Sequence, residues 1–202
     1  VGIRRLCDER GILLVIDEVQ TGLARTGRWF GFHHHGIRAD IVTVAKALGN
    51  GVPIGAVWAP TGIASAFKPG DHGSTFGGQP LAAAAAREVL RVMEDIDAPS
   101  LAVDRGAELT ALLDALPGVT EVRGLGLLLA AELDETALAG RTAGEVALAC
   151  LHAGLVVNGV TPTSLRFAPP LTVTSAELAE GVEMLGGVLD TPPTTDETGA
   201  GQ

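Results

Sequence analysis

The chain has 202 residues, 47% of them apolar, which is enough to bury a core and too apolar for general disorder. A formal net charge of -10 excludes a nucleic-acid surface, which needs Lys and Arg to displace counterions from phosphates, and argues equally against an anionic membrane surface. No apolar run approaches the roughly 18 residues of a membrane span. No signal peptide is visible, and Cys7 and Cys150 stand far apart in sequence, so they read as reduced thiols of a cytoplasmic protein.

Residues 1–10 read as a helix ended by Gly11. Ile12 to Ile16 form a continuous apolar run, the mark of a strand buried on both faces, and Ile41 to Ala45 and residues 53–60 repeat it. A chain that lacks a starting Met, opens inside a helix and passes at once to a core strand reads as a fragment. Pro80 opens an alanine-rich helix over 80–97, in which Ala82 to Ala86 offer a face for close packing. A second helix covers 101–116 and stops at Pro117 and Gly118; residues 119–133 read as a strand interrupted by glycines. Thr142 with Glu145, and Thr174 with Glu177, fit capping boxes that open two further helices. Residues 155–158 and 164–168 are short strands between them. These elements predict an α/β fold: part of a large domain with a mostly parallel sheet over 1–97, a small α+β domain over 98–190, and a disordered tail over 191–202.

Four places carry candidate chemistry. Asp17 follows the first apolar run directly, where ligands gather beyond the carboxyl ends of strands in open α/β sheets; a loop carboxylate or helix cap is the plainer alternative. Its neighbour Glu18 is expected to point elsewhere and to be structural. Lys46 leaves the second strand between Ala45 and Ala47; apolar neighbours lower a lysine's pKa and suit it to Schiff-base chemistry, whereas a snorkelling surface lysine does none of this. The stretch "HGSTFGGQP", 72–80, offers hydroxyls and backbone N–H groups ahead of a helix, a setting for phosphate or simply a turn. Arg166 sits in an apolar strand and needs a carboxylate partner, either a substrate or another side chain. The run His33 to His35 is not read as a metal site, because consecutive side chains fan apart and no Cys or carboxylate partner stands at ligand spacing.

Taken together, "IDEVQTGLARTGRWFGF", "TVAKALGNGVPIGAV" and "HGSTFGGQPLAAAAA" resemble, in order and spacing, three segments of the class III pyridoxal-phosphate aminotransferases of fold type I. The resemblance runs from Val1 to about Leu189 and covers the C-terminal half only of such enzymes. Within the family the likeness is strongest to members acting on acetylornithine, with those acting on ornithine and 4-aminobutyrate near. The resemblance implies pyridoxal 5'-phosphate as cofactor, held through Lys46, with Asp17 on the pyridine nitrogen, Val19 against the ring and Gln20 on the phenolic oxygen. It places Glu18 within this cofactor segment, Thr75 on a phosphate across a homodimer interface, and Ser74 and Arg166 near the substrate. The implied reaction moves the terminal amine of acetylornithine to the cofactor, leaving N-acetylglutamate 5-semialdehyde, and then to 2-oxoglutarate, giving glutamate, a step of arginine biosynthesis.

Gln79 stands where the family usually has Asn. The family's other half supplies a first phosphate loop, a stacking aromatic and a substrate arginine, so the 202 residues alone are expected to fold poorly or bind cofactor weakly. Three alternatives stand beside this reading: another amine donor within the class, an inactive remnant of the fold, and a nucleotide-binding α/β domain. The last requires a phosphate loop after the first strand, where "DEVQTG" is acidic.

Overall fold

The computed structural model describes residues 1–191, in two compact units, Val1–Val103 and Asp104 onward. Residues 192–202, almost all of the tail expected to be disordered, lie outside the described residues.

In the first unit, helix α1 (Gly2–Arg10) ends as its sequence demands, with Gly11 in the left-handed region at φ 63°. Asp40 ties the helix to the sheet, accepting from Arg4 Nη1 and from the Leu14 N–H, each at 2.7 Å. Those two contacts, the Leu14 N–H foremost, hold the Asp40 carboxyl below the usual carboxylate range. Strands β1 (Val15–Asp17), β2 (Ile41–Val44) and β3 (Ala56–Trp58) form one sheet in that order. β1 and β2 run parallel, but β2 and β3 run antiparallel, so the mostly parallel sheet expected from the apolar runs is corrected to a mixed one. The 45–55 connection is filled by tight turns and lacks the crossover, about a dozen residues or more, that a parallel neighbour needs.

The expectation of strands buried on both faces is also corrected. Val15 is 56% exposed and Trp58 58% exposed, and Ile12, Leu13 and Val57 are exposed too. The apolar runs are real, but the described residues supply no layer over these faces. After the short helix α2 (Thr61–Ala64), α3 (Pro80–Asp95) starts with proline in its first turn, as predicted, and buries Ala82, Ala86 and Met93. Helix α4 (Ala98–Asp114) opens three residues before its predicted start, and the boundary between the two units falls within it.

The second unit carries its own core. The segment expected as one interrupted strand is a hairpin, β4 (Val119–Leu125) and β5 (Leu128–Leu133), with Leu125 paired to Leu128. Gly126, at φ 55°, takes the first position of the two-residue turn, where a side chain is disfavoured. Beyond the short α5 (Glu135–Leu138) come α6 (Ala143–His152), β6 (Asn158–Gly159), β7 (Ser164–Phe167) and α7 (Ser175–Asp190). The antiparallel sheet has the order β4-β5-β7-β6. The strand expected over 155–158 shrinks to Asn158–Gly159, because the Leu155 N–H turns back to the Cys150 carbonyl at the exit of α6. Both capping boxes form as the sequence predicts, on Thr142 with Glu145 and on Thr174 with Glu177. Leu113, Leu127, Val146, Cys150, Leu165 and Leu185 are completely buried in one cluster.

Candidate functional site

The parallel pairing of β1 and β2 decides where the chemistry can sit. Asp17 closes β1 opposite Thr43 of β2, and Lys46 follows Thr43 by three residues. Both therefore stand at the carboxyl ends of adjacent strands. With strands about 4.8 Å apart and at most about 3.6 Å per residue over the three residues from Thr43, their Cα atoms are no more than about 16 Å apart. The Glu18 N–H continues the ladder by donating to the Thr43 carbonyl at 2.9 Å, which fixes the chain at the site.

The two adjacent carboxylates have opposite environments. Glu18 is 2% exposed and its oxygens accept from the Thr21 hydroxyl at 2.6 Å and from the Gly31 and Phe32 N–H groups at 3.0 Å each. It staples the 21–32 segment to the strand end, the structural role its expected direction implied. Asp17 is exposed; one oxygen accepts from the Val19 N–H at 2.8 Å, and no other hydrogen bond reaches the side chain among the described residues. Its exposure corrects the picture of a carboxylate facing a buried group within these residues alone.

Lys46 is exposed as well, where sequence suggested burial among apolar neighbours. Ala45 and Ala47 are half-buried, but the lysine between them is exposed, and among the described residues its side chain has no hydrogen bond or ion pair. Its backbone is the distinctive feature: φ is 45°, a region non-glycine residues avoid at a cost of about 1–3 kcal/mol. Bonds from the Leu48 N–H to the Ala45 carbonyl and from the Gly49 N–H to the Lys46 carbonyl pin this turn, with Leu48 buried beneath it. Leu23 and Ala24, at φ 54° and 65°, share the same strain in the segment that Glu18 staples. Four of the six non-glycine residues with positive φ among those described, Leu23, Ala24, Lys46 and Asn50, lie in these two segments. Neither the strain nor the staple was legible beforehand; the only trace was the acidic pair itself, with glycines at 22 and 31 close to the carboxylate.

Val19 and Gln20 are half-buried directly beyond Asp17. Ser74 and Thr75 lie in an exposed loop before α3 and their hydroxyls have no partner among the described residues; α3 itself runs beside the Lys46–Leu48 turn. The site residues of the first unit thus fall into one sheet edge and one neighbouring loop. Arg166 belongs to the second unit, on β7. Its Nη2 donates to Asn158 Oδ1 at 3.2 Å, and its Nε is buried without a partner. On the same sheet, hydrogen bonds from Ser164, Thr163 and Arg123 hold the Glu132 carboxyl below its ordinary range. His34, within the His33 to His35 run, is bonded through Nε2 to the Thr26 carbonyl at 3.0 Å.

A family model described as aminotransferase class-III matches residues 1–189. An acetylornithine aminotransferase of Gloeobacter violaceus is 46% identical over 198 residues, which are 96% of this chain and 48% of that protein. The structure of Plasmodium falciparum ornithine delta-aminotransferase matches with a TM-score of 0.81 and 37% identity, over 93% of this chain and 49% of that one. An ornithine aminotransferase from Toxoplasma gondii, whose structure shows partial occupancy of pyridoxal phosphate (PLP) at its active site, matches with a TM-score of 0.81 and 36% identity, over 92% of this chain and 44% of that one. The chain spans about half the length of the curated relatives it matches.

Proposed function

The chain belongs to the class III aminotransferase family, and from that premise we propose that it provides the lysine, the ring-nitrogen carboxylate and part of the substrate grip of a pyridoxal-phosphate-dependent transaminase. The observation that carries this reading is the register of β1 against β2, which sets Asp17 and Lys46 at the same end of neighbouring parallel strands. The residues fit the cofactor: a carboxylate with one oxygen on the Val19 N–H and the other free, an amine on a strained turn, and two hydroxyls in a glycine-rich loop, the amine and hydroxyls without partners among the described residues. When bound, pyridoxal phosphate supplies the carbonyl that takes up the donor amine and the ring that absorbs the electron pair left by proton removal.

The chain's own residues do the rest. Asp17 keeps a proton on the ring nitrogen, because a carboxylate beside a cation favours the charged form. Lys46 holds the cofactor through Nζ and moves the proton at the reacting carbon. Val19 packs on the ring and Gln20 bonds its phenolic oxygen, while Thr75 takes phosphate from a second subunit of a homodimer and Ser74 approaches the substrate. Glu18 belongs to this segment as its anchor. Arg166 takes a substrate carboxylate, a reading supported by a guanidinium bonded only to the Asn158 amide oxygen among the described residues.

The donor proposed is acetylornithine and the acceptor 2-oxoglutarate, supported by the identity to acetylornithine aminotransferases. The likeness to ornithine aminotransferase structures favours ornithine as the second reading. The sequence provides its own control for the lysine assignment, because it contains two lysines, Lys46 and Lys68. Lys68 is exposed and donates to the Ser65 carbonyl at 2.8 Å. Borohydride trapping at saturating pyridoxal phosphate, followed by peptide mass mapping, should label Lys46 well ahead of Lys68. Equal labelling of the two lysines would overturn the assignment.

A further inference from the structure

Arg166 is held by its neighbours in an unusual way. Strand alternation sends Leu165 and Phe167 into the core of the second unit, so Arg166 projects from the opposite face of the sheet. It is paired across the ladder with Ala130 on one side and Asn158 on the other. No ion pair among the described residues involves it, and its one hydrogen-bond partner is the amide oxygen of Asn158. Arg166 lines a cleft of about 360 Å³ with Asn158 and Glu177. The Glu177 carboxylate is committed to the α7 cap, accepting from the Thr174 N–H at 2.8 Å. The guanidinium therefore has no carboxylate partner among the described residues, and its Nε–H is buried and unused.

Asn158 is well placed to orient that charge, because its backbone has little freedom. β6 has two residues, paired to Arg166 and Leu165. At Gly159 a side chain would come within 2.5 Å of the Gly144 nitrogen, so strand and α6 meet at glycine. The Val160 N–H closes the segment onto the Ser164 carbonyl at 3.0 Å.

We propose that Asn158 is a positioning residue for carboxylate recognition: its neutral amide holds the Arg166 guanidinium through Nη2 without neutralising it and leaves Nη1, which is neither buried nor bonded among the described residues, for a substrate carboxylate. This rests on the reading that Arg166 grips the substrate. The chemical logic favours an amide. An aspartate at position 158 would pair with the guanidinium and compete with the ligand, whereas an alanine would let the long side chain rotate.

The test uses the 202-residue chain labelled with ¹⁵N-arginine and glutarate as the dicarboxylate probe. Loss of one Nε–H resonance in Arg166→Lys identifies the reporter, and its shift on titration gives the affinity. Asn158→Ala should weaken glutarate about three- to tenfold. Asn158→Asp, which keeps size and acceptor, should weaken it further, while circular dichroism and the urea midpoint of the Asp variant stay near wild type. Wild-type affinity in both Asn158 variants would overturn the inference, and loss of binding in Arg166→Lys, read by isothermal titration calorimetry because that variant lacks the reporter, would then leave the Arg166 reading intact. Unchanged binding in Arg166→Lys, or no response of the wild-type Arg166 resonance, would instead overturn the reading of Arg166 and the inference with it.

Discussion

Replacing the two adjacent carboxylates one at a time should separate folding from chemistry. In Glu18→Ala the Thr21 hydroxyl can turn toward water, but the Gly31 and Phe32 N–H groups lose acceptors they now meet at 3.0 Å. An unsatisfied donor of this kind costs about 1–3 kcal/mol, so the pair costs about 2–6 kcal/mol. Set against a typical domain stability of about 5–15 kcal/mol, that is a large fraction of the total. The strained Leu23 and Ala24, which the staple helps to hold, add to the loss. Asp17→Ala removes one bond from an exposed carboxylate to the Val19 N–H and should cost less than about 1 kcal/mol. Urea titration followed by tryptophan fluorescence reads this directly, because both tryptophans, Trp29 and Trp58, lie in the first unit. In the same preparations Asp17→Ala should sharply reduce cofactor trapping on Lys46. The reverse ranking, a destabilised Asp17→Ala beside an unaffected Glu18→Ala, would refute the division of roles.

Two further outcomes concern the second unit. Thr142→Ala and Thr174→Ala each remove a capping box and should each cost about 1 kcal/mol, seen as a lower urea midpoint by far-ultraviolet circular dichroism. Glu132 should make this unit acid-sensitive. Bonds from Ser164 and Thr163, then Arg123, hold its folded-state carboxyl below the ordinary value of 4.5, so its contribution is complete above that pH and is lost as pH falls through the folded value. Between about pH 5 and pH 3 the urea midpoint of the wild type should therefore fall more steeply than that of Glu132→Gln; parallel slopes would remove Glu132 from the acid response.

What the sequence made legible was whatever local chemistry determines. Gly11, Pro80 and the two capping boxes act within a few residues, and each appears where it was read. The placement of Asp17 and Lys46 at strand ends was legible too, because an apolar run broken by a charge marks the edge of a sheet. Properties set by distant residues were not legible. Strand direction depends on the connection between strands, and the tight turns of 45–55 bring β3 back antiparallel. The hairpin at Gly126 was hidden because Leu125, Leu127 and Leu128 continue the apolar pattern through the turn. Burial of Val15, Trp58 and Lys46 was misjudged because periodicity reports which face is apolar, not whether anything covers it.

That last point links the packing to the proposed chemistry. In the second unit, large apolar side chains such as Leu165 and Leu185 are wholly buried, so one face of its sheet is covered from within the chain. In the first unit, β1, which bears Asp17, leaves Val15 more than half exposed, and β3, paired to the strand that leads to Lys46, leaves Val57 and Trp58 more than half exposed. A carboxylate enforces protonation of a ring nitrogen most strongly where water is excluded, because the attraction between the charges grows as the local dielectric falls. A lysine becomes a competent proton carrier near neutral pH for a related reason, since desolvation disfavours its cation. Covering the exposed faces of this sheet would therefore remove apolar surface from water and tune both reacting groups at once. The strain at Lys46 is consistent with that division of labour: its turn is already fixed by main-chain bonds, so what cover would change is the dielectric around the amine rather than its position.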